Sequence, residues 1–274
     1  MNFIDKTFAS FKSFAKVLVN SRPVHIRRDD CAQRIVVMGN GPSLNETLAR
    51  NAALIRSLPS MAVNFAANAP VFSDLKPKYY VLADPFFFSG QGADNLTSLW
   101  SNLAKVDWNM TLFVPVVHVG KVHKLLENRN ITAQGFNAVG AEGFITLTHR
   151  LFSRNLAMPR PRNVLIPALM LSIALGFREV DIVGADHTWM KTLSVTDDNE
   201  VVSIQEHFYS DSDSERSRVC HEYQGYRLYQ IVESFAVAFK SYVDIANYAD
   251  TIGVGIYNCT PGSFIDAFPR RELI

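Results

Sequence analysis

The sequence has few cysteines and almost no net charge. Three cysteines, Cys31, Cys220 and Cys259, are scattered among 274 residues without a C-x-x-C pair. This argues against a disulfide framework and a zinc site and is consistent with a protein of the reducing cytoplasm. The formal net charge of +1 provides no global attraction for a polyanion, so we expect no nucleic-acid partner.

Long hydrophobic runs are also missing. The longest apolar stretch, 164–177, is interrupted by Pro167, Ser172 and Gly176. It is shorter than the roughly 20 apolar residues that span a bilayer. The N-terminus lacks the continuous apolar segment and the small-residue cleavage site of a secretory signal. We therefore expect cytoplasmic localisation.

Residues 1–28 have the periodicity of an amphipathic helix. Apolar residues recur at helical spacing, and six lysines and arginines oppose a single acidic residue, Asp5. A basic helix with a phenylalanine-rich face is typical of proteins that lie on an anionic membrane surface. Packing on the protein's own domain or on a sister subunit would give the same pattern. The apolar positions are Phe3, Ile4, Phe8, Phe11, Phe14, Ala15, Val17 and Leu18.

After residue 28, short apolar runs alternate with helical patterns. This alternation predicts an α/β fold over 29–274, with a mostly parallel, Rossmann-like sheet flanked by helices. The predicted strands are 34–39, 61–65, 79–84, 111–117, 180–184 and 255–259. The predicted helices are 44–58, 121–128, 165–175 and much of 221–249.

Polar clusters follow several of these predicted strands. In parallel sheets, ligands bind beyond the carboxyl ends of the strands, so these clusters are candidate binding residues. They comprise Gly39 to Ser43, Asn64, Asp84 with Pro85, Gly184 to His187, and Asn258 to Ser263.

One polar segment interrupts the alternation. Residues 187–219 are rich in serine and aspartate and show no sustained periodicity, although Trp189, His207 and Tyr209 lie among them. A connection of this length in a compact domain is often a lid over an active site. We therefore predict that 187–219 forms a lid.

The segment "IVVMGNGPSL" places two glycines where a strand meets a helix. Gly39 and Gly41 would allow backbone N–H groups to approach a ligand, and Ser43 with Glu46 has the spacing of a capping box. Such a helix N-terminus attracts anions. The segment matches neither G-x-G-x-x-G nor the P-loop, and a tight, well-capped turn remains the alternative interpretation.

Two histidines are candidate proton acceptors. His207 lies in the predicted lid and His187 follows a predicted strand, and an imidazole can accept a proton near neutral pH. Asp211-Ser212-Asp213 has the spelling of a metal-binding Asp-x-Asp, but it lies in an acidic, serine-rich segment where such triplets arise by chance. We therefore expect no bound metal.

Taken together, these segments resemble the bacterial lipooligosaccharide sialyltransferases of glycosyltransferase family 42, which have a GT-A-variant fold. The matching segments are "VVMGNGPSL", "AVNFAANAPVF" with "PKYYVLADPFFF", "LSIALGFREVDIVGADHTW", "EHFYSD" and "NCTPGSFIDAF". They occur in the family's order from about residue 34 to 268.

The resemblance implies a metal-independent, inverting transferase that moves an acidic sugar from a CMP donor to a glycan hydroxyl. It implies His207 as general base, a donor site lined by Asn40, Ser43, Asn64 and Asp84, and Thr260 and Ser263 near the nucleobase. Gly39, Gly41, Asp186, His187 and Asn258 complete the candidate site. It also suggests a homo-oligomer and no cofactor.

The sequence departs from the family pattern at three places. Asp84-Pro85 replaces the family's Asn-Pro, Trp189 and an offset Tyr209 replace lid tyrosines, and a Thr-Ser-Gly element is replaced around Asn163. Asp84 would put a carboxylate near an anionic donor unless it binds a hydroxyl or a cation. CMP-Kdo is therefore a rival donor to a CMP-nonulosonate, with an acceptor in lipopolysaccharide or capsule synthesis.

A second resemblance gives an alternative function. Gly-Asn-Gly-Pro-Ser-Leu also occurs in the MptE-like pterin diphosphokinase and motility-accessory-factor family, which has a related fold. That resemblance implies ATP- and magnesium-dependent diphosphate transfer. A further alternative is a non-catalytic, nucleotide-binding scaffold that its N-terminal helix holds at the membrane.

Overall fold

The computed structural model describes residues 2–29, 33–89, 94–202 and 225–274. Seven strands form one parallel sheet in the spatial order β5-β4-β3-β2-β1-β6-β9. A two-stranded antiparallel ribbon, β7–β8, lies outside it. The strands are β1 Arg34–Met38, β2 Ser60–Val63, β3 Tyr79–Val81, β4 Met110–Pro115, β5 Ile131–Phe136, β6 Glu179–Val183, β7 Ser194–Val195, β8 Val201–Val202 and β9 Gly255–Asn258.

Helices cover both faces of the sheet. Helices α1, α6, α7 and α8 contribute to a core on one face, and α2, α3, α4 and α5 to a core on the other. The helices are α1 Phe3–Asn20, α2 Ser43–Ser57, α3 Phe72–Leu75, α4 Asp94–Ala104, α5 Val119–Leu125, α6 Ile145–Phe152, α7 Leu165–Ala174 and α8 Leu228–Thr251. Single 3₁₀ turns are Asn64–Asn68, Pro85–Phe88, Val116–His118 and Trp189–Lys191.

The central elements form where the sequence is most apolar. In β1, Ile35 and Val37 enter one core while Val36 and Met38 enter the other, so the strand is apolar on both faces. This is the pattern of a parallel strand covered by helices on both sides. Helix α7 is buried along nearly its whole length, and Pro167 is tolerated because it lies in the first turn.

The strand order creates a switch point next to β1. The chain leaves β1 toward β2 and builds outward to β5, then returns to place β6 on the other side of β1. Loops that follow β1 and β6 consequently diverge to opposite faces and leave a crevice between them. The crevice lies at the carboxyl edge, where the sequence places its polar clusters.

The structure confirms the α/β, Rossmann-like fold and all six predicted strands within a few residues. Strand β5, helices α3, α4 and α6 and the β7–β8 ribbon were not predicted. Of the predicted lid 187–219, the structure describes only 187–202, which contains the Trp189–Lys191 turn and the ribbon.

The N-terminal helix is present, but it packs through its polar side. Ser13 donates to the carbonyl of Glu142 at 2.8 Å and accepts from the Glu142 N–H, while Ser10 accepts from the Phe144 N–H at 2.9 Å. With Val17, these serines are the buried residues of α1. The phenylalanine-rich side faces outward. No described helix has the length and apolarity needed to cross a bilayer.

Candidate functional site

A cleft of about 860 Å³ opens at the carboxyl edge of the sheet, between the loops after β1 and β6. Its walls combine strand-end loops with the segment before α7 and the first half of α8. The sheet topology therefore brings distant parts of the sequence together here. The candidate residues that line the cleft are Gly39, Asn40, Gly41, Asn64, Asp84, Asn163, Asp186, His187 and Trp189.

The glycines of the β1 loop permit close contact with the β6 loop. A Cβ on Gly39 would lie 2.4 Å from the carbonyl oxygen of Gly184, and one on Gly41 would lie 2.8 Å from the same oxygen. The Gly39 and Gly41 N–H groups donate to the carbonyls of Val183 and Gly184, each at 2.8 Å. The fold itself thus uses the N–H groups of the two glycines, and the approach of other backbone N–H groups of this loop to a ligand stays a prediction.

Ser43 also has a role other than the predicted one. Pro42 is the N-cap of α2 and makes no side-chain cap, so the predicted capping box is wrong. Instead, the Ser43 hydroxyl donates to a carboxylate oxygen of Asp186 at 2.7 Å. A hydroxyl bonds more strongly to a charged carboxylate than to a neutral group. Ser43 thus joins α2 to the β6 loop, and Glu46 pairs with Arg50.

Three polar residues, the last of β9 and two in the segment after it, support the β6 loop from behind. Thr260 Oγ1 accepts from the Ala185 N–H at 3.0 Å, and Ser263 donates to the Ala185 carbonyl at 2.6 Å. Asn258 accepts from the Thr260 N–H and donates to the Ile265 carbonyl. All three residues are buried and are not among those that line the cleft. They fix the backbone that presents Asp186 and His187.

A chain of three polar side chains crosses from the β6 loop to α7. Asn163 Oδ1 accepts from the Leu165 N–H and from the hydroxyl of Tyr242, at 3.0 and 2.9 Å. Because Tyr242 has one proton, its oxygen must accept from Nε2 of His187, 2.6 Å away. Nδ1 of the neutral imidazole then carries the lone pair.

Burial shifts the ionisation of this chain. His187 is 7% exposed, and desolvation lowers the pKa of its imidazole to about 3. Desolvation also raises the pKa of the Tyr242 hydroxyl, against a smaller lowering effect of its bond to Asn163. Both groups are therefore neutral near pH 7. His187 has a φ of 52°, an uncommon left-handed conformation for a non-glycine residue, and Trp189 packs on its ring at 4.1 Å.

Three amide side chains of the cleft each have one buried atom without a hydrogen-bond partner among the described residues. They are Asn40 Oδ1, Asn64 Oδ1 and Asn163 Nδ2. Asn40 donates through Nδ2 to the Val63 carbonyl, so its Oδ1 is the free acceptor. Asn163 accepts two hydrogen bonds at Oδ1, so its Nδ2 is the free donor. Buried polar atoms are rarely left unsatisfied. These three are suited to pair with a bound ligand.

A group of cations at the cleft was not predicted from the sequence. Arg160 and Arg162 precede α7, and Lys191 follows the β6 loop. Arg160 lies 3.8 Å from Glu142, whereas no described carboxylate lies within ion-pair distance of Arg162. The "RPRN" spelling of 160–163 was a signal for this cluster, but its position depends on how the loop packs.

Acidic groups also reach the cleft. Asp84 is exposed three residues after β3, where its carboxylate accepts from the Phe86 N–H at 2.8 Å and caps the Pro85–Phe88 turn. Glu233 lies on the α8 wall. Within the part of the chain that the structure describes, no three histidine, cysteine or acidic side chains are grouped as metal ligands would be. Predicted residues His207, Tyr209 and Asp211 to Asp213 lie outside the described residues.

Comparison with known proteins supports the fold assignment. No protein-family model and no curated protein matches the sequence. Among solved structures, the chain is similar to a MAf glycosyltransferase from Magnetospirillum magneticum AMB-1, with a TM-score of 0.51 and 14% identity. The match covers 99% of this chain and 38% of that protein, so the chain spans less than half of its length. At this identity the similarity extends to the fold.

Proposed function

We propose that the protein is a glycosyltransferase that moves an acidic sugar from a CMP donor to a hydroxyl of a cell-surface glycan. The observation that carries the proposal is the switch-point cleft, where three unsatisfied buried amide atoms and three cations surround one space. A nucleotide that carries an acidic sugar offers hydrogen-bonding groups for the amide atoms and negative charge for the cations.

The polar chemistry of the cleft suits each part of such a donor. Asn40 Oδ1 and Asn64 Oδ1 are acceptors for the amino group of a base or for ribose hydroxyls, and Asn163 Nδ2 is a donor to a phosphate or carboxylate oxygen. Arg160 and Arg162 supply charge-assisted hydrogen bonds to the same anionic groups. CMP leaves with less charge than a nucleoside diphosphate, so such donors can stabilise the leaving group without a metal.

The proposed reaction is a single displacement. The acceptor hydroxyl attacks the anomeric carbon, forming a C–O bond while the bond from that carbon to the CMP phosphate oxygen breaks. The bonding electrons leave with CMP, and the hydroxyl proton passes to a base. The family resemblance assigns this base to His207, and attack opposite the leaving group inverts the anomeric centre.

The solved structure with a similar fold supports a glycosyltransferase over the alternative function. The solved protein with a similar fold is described as a MAf glycosyltransferase, and motility accessory factors belong to the second family that the β1 loop resembles. Glycosyl transfer is therefore implied by the first resemblance and is the printed activity of one solved protein with a similar fold, whereas diphosphate transfer is implied by the β1-loop resemblance alone. The choice of CMP over other nucleotides rests on the resemblance to the lipooligosaccharide sialyltransferases.

A thermal-shift screen of CMP, CDP, UDP, GDP and ATP, each with and without magnesium, tests the proposal. We expect CMP or CDP to raise the melting temperature without magnesium, because a ligand that binds only the folded state stabilises it. The shift should disappear in the Asn40→Ala and Asn163→Ala variants. Asn20→Ala, on the exposed end of α1, is the matched control.

Each other outcome has a definite meaning. Stabilisation by ATP with magnesium, abolished by EDTA, would replace the proposal with the diphosphokinase function. Nucleotide binding without hydrolysis or transfer of any CMP-sugar would favour the scaffold. No shift with any nucleotide would overturn the proposed donor class.

A further inference from the structure

The outward side of α1 is an exposed apolar surface. Ile4, Phe8, Phe11 and Leu18 are between 67% and 77% exposed. Because α1 is anchored through Ser10, Ser13 and Val17, its apolar side is not available to the protein's own core. This orientation removes one of the two alternatives for the helix, namely packing of its phenylalanine face on its own domain.

The apolar surface continues beyond the helix. The rings of Phe3 and Phe144 are in contact, with centroids 5.4 Å apart. Ile145, which follows Phe144, is 60% exposed. Large contiguous apolar patches on a protein surface mark interaction sites. Two separate segments thus contribute to one patch.

Basic residues border this patch. On a helical wheel drawn at 100° per residue, Lys12 and Lys16 lie next to Phe8 and Val19. The two lysines therefore stand at one edge of the apolar side. Arg22, directly after the helix, is exposed and its guanidinium donates to the Val19 carbonyl at 3.0 Å. Asp5, the sole acidic residue of α1, lies between the two lysines around the helix, so this edge carries one negative and two positive charges. The patch therefore combines aromatic side chains with an excess of positive charge.

We propose that α1 and Ile145 dock the protein on an anionic lipid bilayer, with the helix lying in the plane of the interface. Phenylalanine and isoleucine side chains enter the boundary between headgroups and acyl chains, and the lysines contact anionic headgroups. This inference goes beyond the proposed function, because it depends on neither the cleft nor the reaction.

The charge distribution favours lipid over a second copy of the chain. In two copies paired antiparallel through this patch, the edge with Lys12 and Lys16 of one helix would face the same, net positive edge of the other. Such like-charge contacts oppose association. An anionic bilayer neutralises the same lysines and buries all of the exposed rings. Charge complementarity thus selects the lipid surface.

Vesicle flotation of the full chain tests this inference. We expect binding to vesicles of phosphatidylcholine with phosphatidylglycerol, weaker binding to phosphatidylcholine alone, and a decrease at high salt. The double variant Phe8→Ser/Phe11→Ser should lose at least about tenfold in partitioning, since two large apolar side chains no longer enter the bilayer. Lys12→Glu/Lys16→Glu should lose binding to the anionic vesicles selectively.

Matched controls change the same chemistry elsewhere. Val117→Ser removes another exposed apolar side chain, 68% exposed. Arg56→Glu/Lys105→Glu makes a similar charge change on α2 and directly after α4, on the opposite face of the sheet. Both should bind vesicles as the unchanged protein does. Unchanged melting temperatures and nucleotide-induced shifts would show that every variant is folded and that the cleft is intact.

Three results would overturn the inference. They are no vesicle binding by the unchanged protein, equal binding by all variants, and concentration-dependent self-association that Phe8→Ser/Phe11→Ser abolishes. The last result would assign the patch to a second copy. Because nucleotide binding is measured separately, failure here leaves the proposed function standing.

Discussion

Ser43 and Asp186 are 143 residues apart in sequence, yet the serine hydroxyl donates to the aspartate carboxylate at 2.7 Å. One residue begins α2 and the other follows β6. Their hydrogen bond therefore crosses the switch point and joins the two loops between which the cleft opens. It fixes the Asp186 carboxylate at the cleft wall.

Removal of this hydrogen bond should weaken both the fold and nucleotide binding. We expect Ser43→Ala to lower the free energy of unfolding by about 1–3 kcal/mol, as for other hydrogen bonds to charged groups. Denaturant unfolding with a Ser43→Ala/Asp186→Asn double-mutant cycle measures the coupling. Ser57→Ala, at the exposed end of α2, is the control. Strict additivity of the two substitutions would contradict the role given to this bond.

A side chain at Gly41 should disrupt the cleft. A Cβ there would lie 1.8 Å from Asp186 Oδ2 and 2.8 Å from the Gly184 carbonyl oxygen. Asp186 can move, but the backbone carbonyl cannot do so without separating the loops. We expect Gly41→Ala to destabilise by about 1–3 kcal/mol and to reduce the CMP-induced thermal shift.

Gly120 provides the comparison for this prediction. It lies in α5, where a Cβ would meet no atom within 4 Å, so Gly120→Ala should be neutral or stabilising by up to about 1 kcal/mol. Thermal unfolding of the two variants side by side separates a steric effect from a general effect of glycine replacement. Equal stability of the two would show that the loops separate freely.

The burial of His187 predicts a pH dependence of stability. Desolvation lowers the pKa of this imidazole to about 3, whereas an unfolded histidine titrates near pH 6.5. Between these values the unfolded chain binds a proton that the folded chain does not. Stability should therefore fall as the pH decreases from about 6.5 to about 3, with a slope of at most about 1.4 kcal/mol per pH unit from this group.

Denaturant unfolding between about pH 4 and pH 7 checks the sign. The slope should decrease in His187→Gln, which removes the titrating group. Tyr242→Phe removes the hydroxyl that accepts from Nε2 and should lower stability by about 1–3 kcal/mol at pH 7, because it leaves a buried donor unpaired. Tyr229→Phe, at an exposed position of α8, should have little effect. A slope that His187→Gln leaves unchanged would contradict the assignment.

The proposed general base predicts a loss of turnover without a loss of donor binding. We expect His207→Ala to reduce CMP-sugar turnover by roughly 10²–10⁴, with the CMP-induced thermal shift retained. His123→Ala, on exposed α5 surface, should keep full turnover. Retained turnover in His207→Ala would show that another group accepts the proton, and His187→Ala would then identify or exclude the buried imidazole.

The centre of the sheet could be predicted well because its strands are apolar on both faces. In β1, four apolar residues follow Arg34, and in β6 the apolar residues Val180, Ile182 and Val183 surround one buried aspartate, Asp181. Such short, mostly apolar segments between helical patterns favour internal parallel strands. Strand β5, "ITAQGF", is an edge strand with mostly half-buried residues. It therefore lacks the hydrophobic signal of an internal strand, and its pairing depends on β4 rather than on its own composition.

The candidate site was predictable only in part, for a related reason. In a parallel sheet all strands end at one edge, so Asn40, Asn64 and Asp84 could be grouped from sequence. Arg160 and Arg162 come from a loop whose path is decided by packing against α8. The predicted Ser43 cap does not form because the carboxylate of Asp186, 143 residues away in the sequence, accepts the hydrogen bond of the hydroxyl. Predictions from neighbouring residues alone do not include such a partner.

The pairing of β1 with β6 has a consequence for biosynthesis. It joins Arg34 to Glu179, so translation must proceed well past residue 179 before β1 can acquire its second neighbour. Until then, the nascent chain holds one side of a hydrophobic strand uncovered, a species prone to aggregation. We therefore expect chaperone dependence and sensitivity to translation rate to arise while the segment between β1 and β6 is being synthesised.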